Sequence, residues 1–80
     1  MAKLGINYCV DIMKYLRSMG FELRAPGIEI KKAITIKAGF DDRTRTKYFG
    51  MLQTLGFIKP VGEQAPGFFD LDYEVIKRYK

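Results

Sequence analysis

Two counts constrain how this chain can fold: its 80 residues include one cysteine and no histidine. An internal disulfide needs two cysteines, and the usual structural zinc sites need several cysteine and histidine ligands. The fold must therefore be held by side-chain packing, and we expect no metal and no cofactor. Because so short a chain cannot fill two separate hydrophobic cores, we expect a single domain over residues 1–80.

The charge of the chain favours a polyanionic partner. Fourteen Lys and Arg residues stand against nine Asp and Glu, which gives a formal net charge of +5. An excess of basic residues attracts nucleic acid through its phosphates. No apolar run approaches the roughly 20 residues that span a bilayer, and the first residues lack the apolar stretch of a secretory signal. We therefore expect no membrane association and a cytoplasmic location.

The first part of the chain predicts a helix and a connector. Apolar residues recur at helical spacing over residues 4–19, and Gly20 is a suitable stop. The segment FELRAPG that follows predicts a connector or a short strand, because Pro26 disfavours helix at the residue before it.

Residues 28–39 fit two structures. Their isoleucines alternate as in a strand, whereas Ile30, Ala33 and Ile34 form one side of a helix that ends at Gly39. The pattern alone leaves both open. Strands usually have about 5–6 residues, so a strand over the whole segment would be long, and we prefer the helix.

Residues 41–56 carry the clearest helix signals. Asp41 or Asp42 is a good N-cap at the positive end of the helix dipole, and Gly56 is a good stop. The apolar residues lie in the second half of this helix. The polar first half, residues 43–47, is therefore free to meet a partner.

The last part of the chain predicts a hairpin and a short helix. The β-prone runs FIKPV and GFFDLD, at residues 57–61 and 67–72, lie on either side of the turn-forming sequence GEQAPG. A short helix follows, with Asp72 as its N-cap. Tyr73 and Tyr79 on this helix either cover the core or contact a second subunit, and we favour the second.

The order of these elements, together with the sequence KAGFDDRTRTKYFGMLQTLGFIKP at residues 37–60, resembles a known family. The likeness is to small prokaryotic winged helix-turn-helix DNA-binding proteins, especially those of archaea and archaeal viruses, in which a similar Leu-Gly-Phe-Ile sequence leads into the wing. The resemblance implies an α+β winged helix-turn-helix fold: a three-helix core, a β-hairpin wing and a short C-terminal helix. For a protein encoded by a virus, the resemblance implies a location in the cytoplasm of the host cell.

The same resemblance implies that residues 41–56 enter the DNA major groove and that the wing, residues 57–70, meets the flanking backbone or minor groove. Arginine pairs with guanine, threonine contacts bases or phosphates, and lysine holds the backbone. Lys31, Lys32 and Lys37 precede this helix and are candidates for phosphate contacts. The expected DNA-binding residues are Arg43, Thr44, Arg45, Thr46, Lys47, Lys37, Lys59 and Gln64.

Arg45 departs from the family pattern, which usually has a small aliphatic residue at this position. It lies three residues before Tyr48 and seven before Leu52, on the side of the helix that faces the core. Either its side chain extends past Tyr48 to solvent, or the helix begins later than residue 41.

We expect a sequence-specific double-stranded DNA-binding protein that regulates transcription, as a homodimer on a pseudo-palindrome. The alternative is a winged-helix protein-interaction module that does not bind DNA, since a fold does not dictate a function. Binding of single strands or RNA on the aromatic residues is a third, weaker alternative.

An enzyme is not expected. Histidine is absent, Ser18 is the only serine, and Cys9 lies on an apolar helix side where a thiol is inert. The carboxylates of Asp70, Asp72 and Glu74 are explained by solubility and helix capping without a metal.

Overall fold

The computed structural model describes residues 3–79. Within that range four α-helices, one 3-10 helix and a three-stranded antiparallel sheet form the α+β fold that the sequence predicts. In chain order the elements are α1 (Lys3–Ser18), β1 (Arg24–Pro26), α2 (Gly27–Lys37), α3 (Asp42–Thr54), β2 (Ile58–Pro60), β3 (Phe68–Leu71), the 3-10 helix (Tyr73–Val75) and α4 (Ile76–Tyr79). In residues 3–79 there is no helix of the length and hydropathy needed to cross a membrane.

Helices α1 and α3 end in the same way. After α1, Gly20 has a φ of 99°, and the N–H of Phe21 donates to the carbonyl of Leu16 at 3.1 Å. After α3, Gly56 has a φ of 90°, and the N–H of Phe57 donates back to the last turn at 2.9 Å. A positive φ is cheap only for glycine, so the predicted glycine stops are confirmed.

The segment at residues 28–39, whose pattern fits both a strand and a helix, forms helix α2, as expected. Ile30, Ala33 and Ile34 are completely buried, and Ile28 and Ile36 are exposed. The strand-like alternation arose because isoleucine occupies both the inner and the outer side of this helix.

Helix α3 begins and ends within two residues of the predicted bounds. Its inner side buries Tyr48 and Leu52. Asp41 takes the N-cap position with extended backbone, but its carboxylate accepts no capping hydrogen bond. The predicted cap is therefore confirmed in position and not in bonding.

The predicted hairpin is confirmed as β2 and β3. Ile58 pairs with Leu71 and Lys59 pairs with Asp70, so that apolar and charged residues lie on opposite sides of the sheet. Strand β1 pairs with the other edge of β3, giving the order β1-β3-β2. The sequence predicts the connector or short strand at β1 but not its pairing, because that contact joins distant parts of the chain.

The C-terminal segment folds back onto the core. The Asp72 carboxylate accepts a hydrogen bond of 3.0 Å from the N–H of Glu74, as predicted for an N-cap. The Tyr73 hydroxyl donates to the carbonyl of Phe21, and the Tyr79 ring lies 5.8 Å from that of Phe57. Both tyrosines are half-buried against their own chain, so they cover the core, and the subunit contact that we favoured for them gains no support.

One core joins the helices to the sheet, and it contains no buried polar or charged residue in the described range. Its largest completely or nearly completely buried side chains are Phe57, Ile12, Met13, Leu16, Ile30, Ile34, Leu52, Ile58 and Cys9. Because α1, α2, α3 and the sheet all contribute to this core, α3 is held at a fixed angle to the hairpin.

Candidate nucleic-acid interface

Helix α3 presents a polar surface along its whole length. The side opposite Tyr48 and Leu52 is exposed to solvent, and we call it the α3 outer face. Its exposed residues are Asp42, Arg43, Thr46, Lys47, Gly50, Gln53 and Thr54. The sequence predicts such a surface only at residues 43–47, in the first half of the helix. The structure extends it to the third and fourth turns, because Gly50 and Gln53 follow Thr46 at helical spacing.

Arg45 does not belong to this face. Its guanidinium donates a hydrogen bond of 2.8 Å to the Phe40 carbonyl and pairs with the Asp42 carboxylate. The position lies on the inner side of α3, where a charge cannot be buried, so the side chain extends toward the start of the helix. The helix is not shortened, and the guanidinium reaches polar partners at the start of α3, where the side chain stays 31% exposed.

Thr44 also lies toward the interior, with its methyl group close to Gly39. Arg43, Thr46 and Lys47 are exposed as expected. The Lys47 ammonium lies 5.4 Å from the ring centroid of Tyr48. Of the five predicted residues on this helix, the structure therefore brings these three together on the α3 outer face.

Two lysines of α2 point in different directions. The Lys37 ammonium lies 5.7 Å from the ring centroid of Tyr15, which places it beside α1. The Lys31 ammonium lies 5.8 Å from the ring centroid of Phe49 on α3. Lys31 therefore adjoins the α3 outer face and Lys37 does not, a distinction that sequence spacing could not make.

The hairpin carries a line of alternating charges on its outer side. Asp70 on β3 lies between Lys59 on β2 and Arg24 on β1, and the Arg24 Nε is 3.1 Å from the Asp70 carboxylate. Lys59 forms no ion pair with any residue of the described range and keeps its charge exposed. Gln64 is exposed in the loop that joins the two strands.

A cavity of about 820 Å³ connects the hairpin to the α3 outer face. It opens between the start of α2, the exposed side of α3 and β3. Lys31, Thr46 and Gln53 border it, and Gly50 leaves its wall without a side chain, since no atom comes within 4 Å of a Cβ built at that position. Glycine inside a helix costs stability relative to alanine, and no neighbouring helix comes close enough to Gly50 to require it.

Three side chains considered for catalysis or metal binding are buried or already bonded to their own chain. Cys9 is completely buried, which raises the pKa of its thiol to about 11. Asp70 pairs with Arg24, and the Asp72 carboxylate caps the 3-10 helix. Over residues 3–79 no group of three or more acidic or cysteine side chains is placed to hold a metal ion.

No protein family, curated protein or solved structure matches the chain.

Proposed function

We propose that this chain is a winged helix-turn-helix protein that binds double-stranded DNA through the α3 outer face and regulates transcription. The element order supports the assignment. Helices α2 and α3 are joined by a tight turn, and the hairpin β2–β3 follows directly and pairs with the short strand β1. This element order is compatible with a helix-turn-helix that carries a wing, and it therefore supports the proposal.

The observation that carries the proposal is the α3 outer face. It is polar over four turns, and no carboxylate lies on it beyond Asp42 at its first residue. The major groove of B-DNA is about 12 Å wide and accepts one α-helix. Arg43 can donate two hydrogen bonds to guanine, Gln53 can pair with adenine, and Thr46 can contact bases or phosphates.

The ion pair of Arg45 supports the same interface indirectly. Asp42 is 89% exposed at the end of α3 that would enter the groove, where a free carboxylate repels phosphates. Arg45 partly neutralises it. In this proposal Arg45 reduces the negative charge at the interface, and Arg43 contacts the bases.

The hairpin and Lys31 supply contacts to the backbone. Lys59 lies on the outer side of the sheet, and Lys31 lies beside the α3 outer face. Lysines in such places bind phosphates without reading sequence. We propose that the protein acts as a homodimer on a two-fold symmetric site.

The alternative of a protein-interaction module has its own supporting observation. Ile28, Ile36 and Phe40 are 64%, 57% and 81% exposed on α2 and the turn after it. Ile28 and Ile36 border the same shallow groove, and neighbouring exposed apolar side chains are typical of protein contact sites.

Fluorescence anisotropy with a labelled random-sequence duplex tests the proposal. We expect binding at micromolar protein in low salt, with an affinity that falls as salt rises because bound phosphates release counterions. Absence of binding to duplex, with a circular dichroism spectrum showing that the chain is folded, would favour the protein-interaction module. Preferential binding of single strands in a competition titration would contradict both the duplex-binding proposal and the protein-interaction module.

A further inference from the structure

The floor of the cavity between α2, α3 and β3 is apolar. The rings of Phe49 and Phe69 meet edge to face with centroids 5.1 Å apart, and Ile28 borders them. Phosphate sites are built from N–H and O–H donors, which phenyl rings do not offer. This floor instead suits a planar apolar group, because aromatic rings pack favourably on each other at such distances.

The walls of the cavity are formed partly by bare backbone. Gly27, Gly50 and Gly67 line it, and a Cβ at Gly27 would lie 3.1 Å from the ring of Phe69. Glycine at this position therefore allows the start of α2 to approach the floor. The volume of about 820 Å³ falls in the range of small-molecule sites, about 300–1,000 Å³.

The charge at the rim has one sign. Lys31 and Arg45 border the cavity, and no aspartate or glutamate of the described range lines it. Arg45 is already paired with Asp42, whereas the Lys31 ammonium forms no ion pair with the described residues and lies 5.8 Å from the ring centroid of Phe49. A ring that lies on the floor would therefore have a free cation beside its edge.

We propose that this cavity binds a small planar aromatic carboxylate. The ring lies on Phe49 and Phe69, and the carboxylate pairs with Lys31. Thr46 and Gln53 belong both to the cavity rim and to the α3 outer face. A bound ligand should therefore weaken DNA binding. This effect rests on the proposed function, whereas the binding of the ligand to the cavity does not rest on it.

Two-dimensional ¹H–¹⁵N spectra of the full chain test the site with a matched pair of probes, 2-naphthoate and its neutral amide, 2-naphthamide. With 2-naphthoate we expect saturable shifts of the Gly27, Gly50 and Gly67 amides, and severalfold weaker binding of 2-naphthamide. Absence of saturable shifts at millimolar 2-naphthoate, or equal binding of both probes, would overturn the proposal.

A pair of variants separates a specific site from general attraction to a basic protein. Lys31→Met keeps an apolar stem and removes the charge, so 2-naphthoate should lose its advantage over the amide. Lys14→Met removes an exposed charge from α1 and should leave the advantage intact. Equal effects of the two substitutions would overturn the assignment of the carboxylate to Lys31.

The link to DNA is tested by adding 2-naphthoate to the duplex titration. A severalfold loss of duplex affinity in the wild-type chain and a smaller loss in the Lys31→Met variant support the overlap of the two surfaces. Ligand binding without any loss would overturn that overlap. Ligand binding by a chain that binds no duplex would overturn the proposed function and leave the cavity assignment standing.

Discussion

The guanidinium of Arg45 donates a hydrogen bond of 2.8 Å to the backbone carbonyl of Phe40, and so links α3 to the turn before it. Arg45→Met removes this bond and the pairing with Asp42. We expect a loss of about 0.5–1.5 kcal/mol in the free energy of unfolding, measured by urea denaturation. Arg43→Met is the matched control, because Arg43 is exposed and forms no ion pair with any described residue. Equal destabilisation by both variants would contradict this role.

Replacement of Gly50 should stabilise the fold, in contrast to replacement of Arg45. Its added methyl group would meet no atom within 4 Å, and alanine favours the helix, so Gly50→Ala should raise the unfolding free energy by up to about 1 kcal/mol. Gly56→Ala is the control and should destabilise the fold, because Gly56 has a φ of 90°. Thermal unfolding followed by circular dichroism measures both. A stability loss in Gly50→Ala would show that this position is not free of contacts.

Because of Tyr73, the free energy of unfolding should depend on pH in the alkaline range. Burial raises the pKa of its hydroxyl to about 12, with Glu22 adding to the rise and Arg17 opposing it. A raised folded-state pKa gives stability that is complete below the unfolded pKa of about 10 and is lost as pH rises from there to about 12.

Tyr73→Phe tests this dependence by urea denaturation at a series of alkaline pH values. The variant loses the hydrogen bond to the Phe21 carbonyl, which should cost about 1 kcal/mol at neutral pH. Its stability should also fall less steeply above about pH 10. Tyr8→Phe, on a more exposed residue, is the control and should keep the steeper decline. An unchanged decline in Tyr73→Phe would contradict the prediction.

Arg43 and Lys59 should affect DNA binding differently. Arg43→Ala should cost about 1–3 kcal/mol on the preferred site and relax sequence preference, because an arginine that pairs with guanine reads a base. Lys59→Ala should weaken binding to all duplexes by a similar factor. It should also reduce, by about 1, the steepness with which the logarithm of the binding constant falls with the logarithm of the salt concentration. Selection of bound DNA from a random pool, followed by anisotropy titrations, measures both. Equal and salt-insensitive binding by the two variants would contradict the assignment.

The sequence predicted the local features of the fold because their causes are local. A glycine such as Gly20 or Gly56 stops a helix through its own φ, and a burial pattern such as that of Ile30 and Ile34 reflects one helix side. The pairing of β1 with β3 depends on contacts between residues 24–26 and 68–70, which no local pattern records.

The candidate site was predicted less completely, for a related reason. Gln53 is absent from the predicted set because the apolar residues of α3 lie in its second half, although only one side of a helix can face the core. That signal was present in the spacing from Thr46. The contact of Lys31 with Phe49 and the bonding of Arg45 depend on how α2 packs against α3, which the sequence pattern does not give.

Mapping of amide shifts on adding duplex DNA tests the central claim most directly. A ¹H–¹⁵N titration of the full chain with a selected or random duplex should shift the amides of Arg43, Thr46, Gly50 and Gln53 and those around Lys59. Amides on the exposed side of α1, such as Asp11 and Lys14, should stay in place. Shifts confined to α1, or no shifts with saturating duplex at low salt, would contradict the claim that the α3 outer face binds DNA.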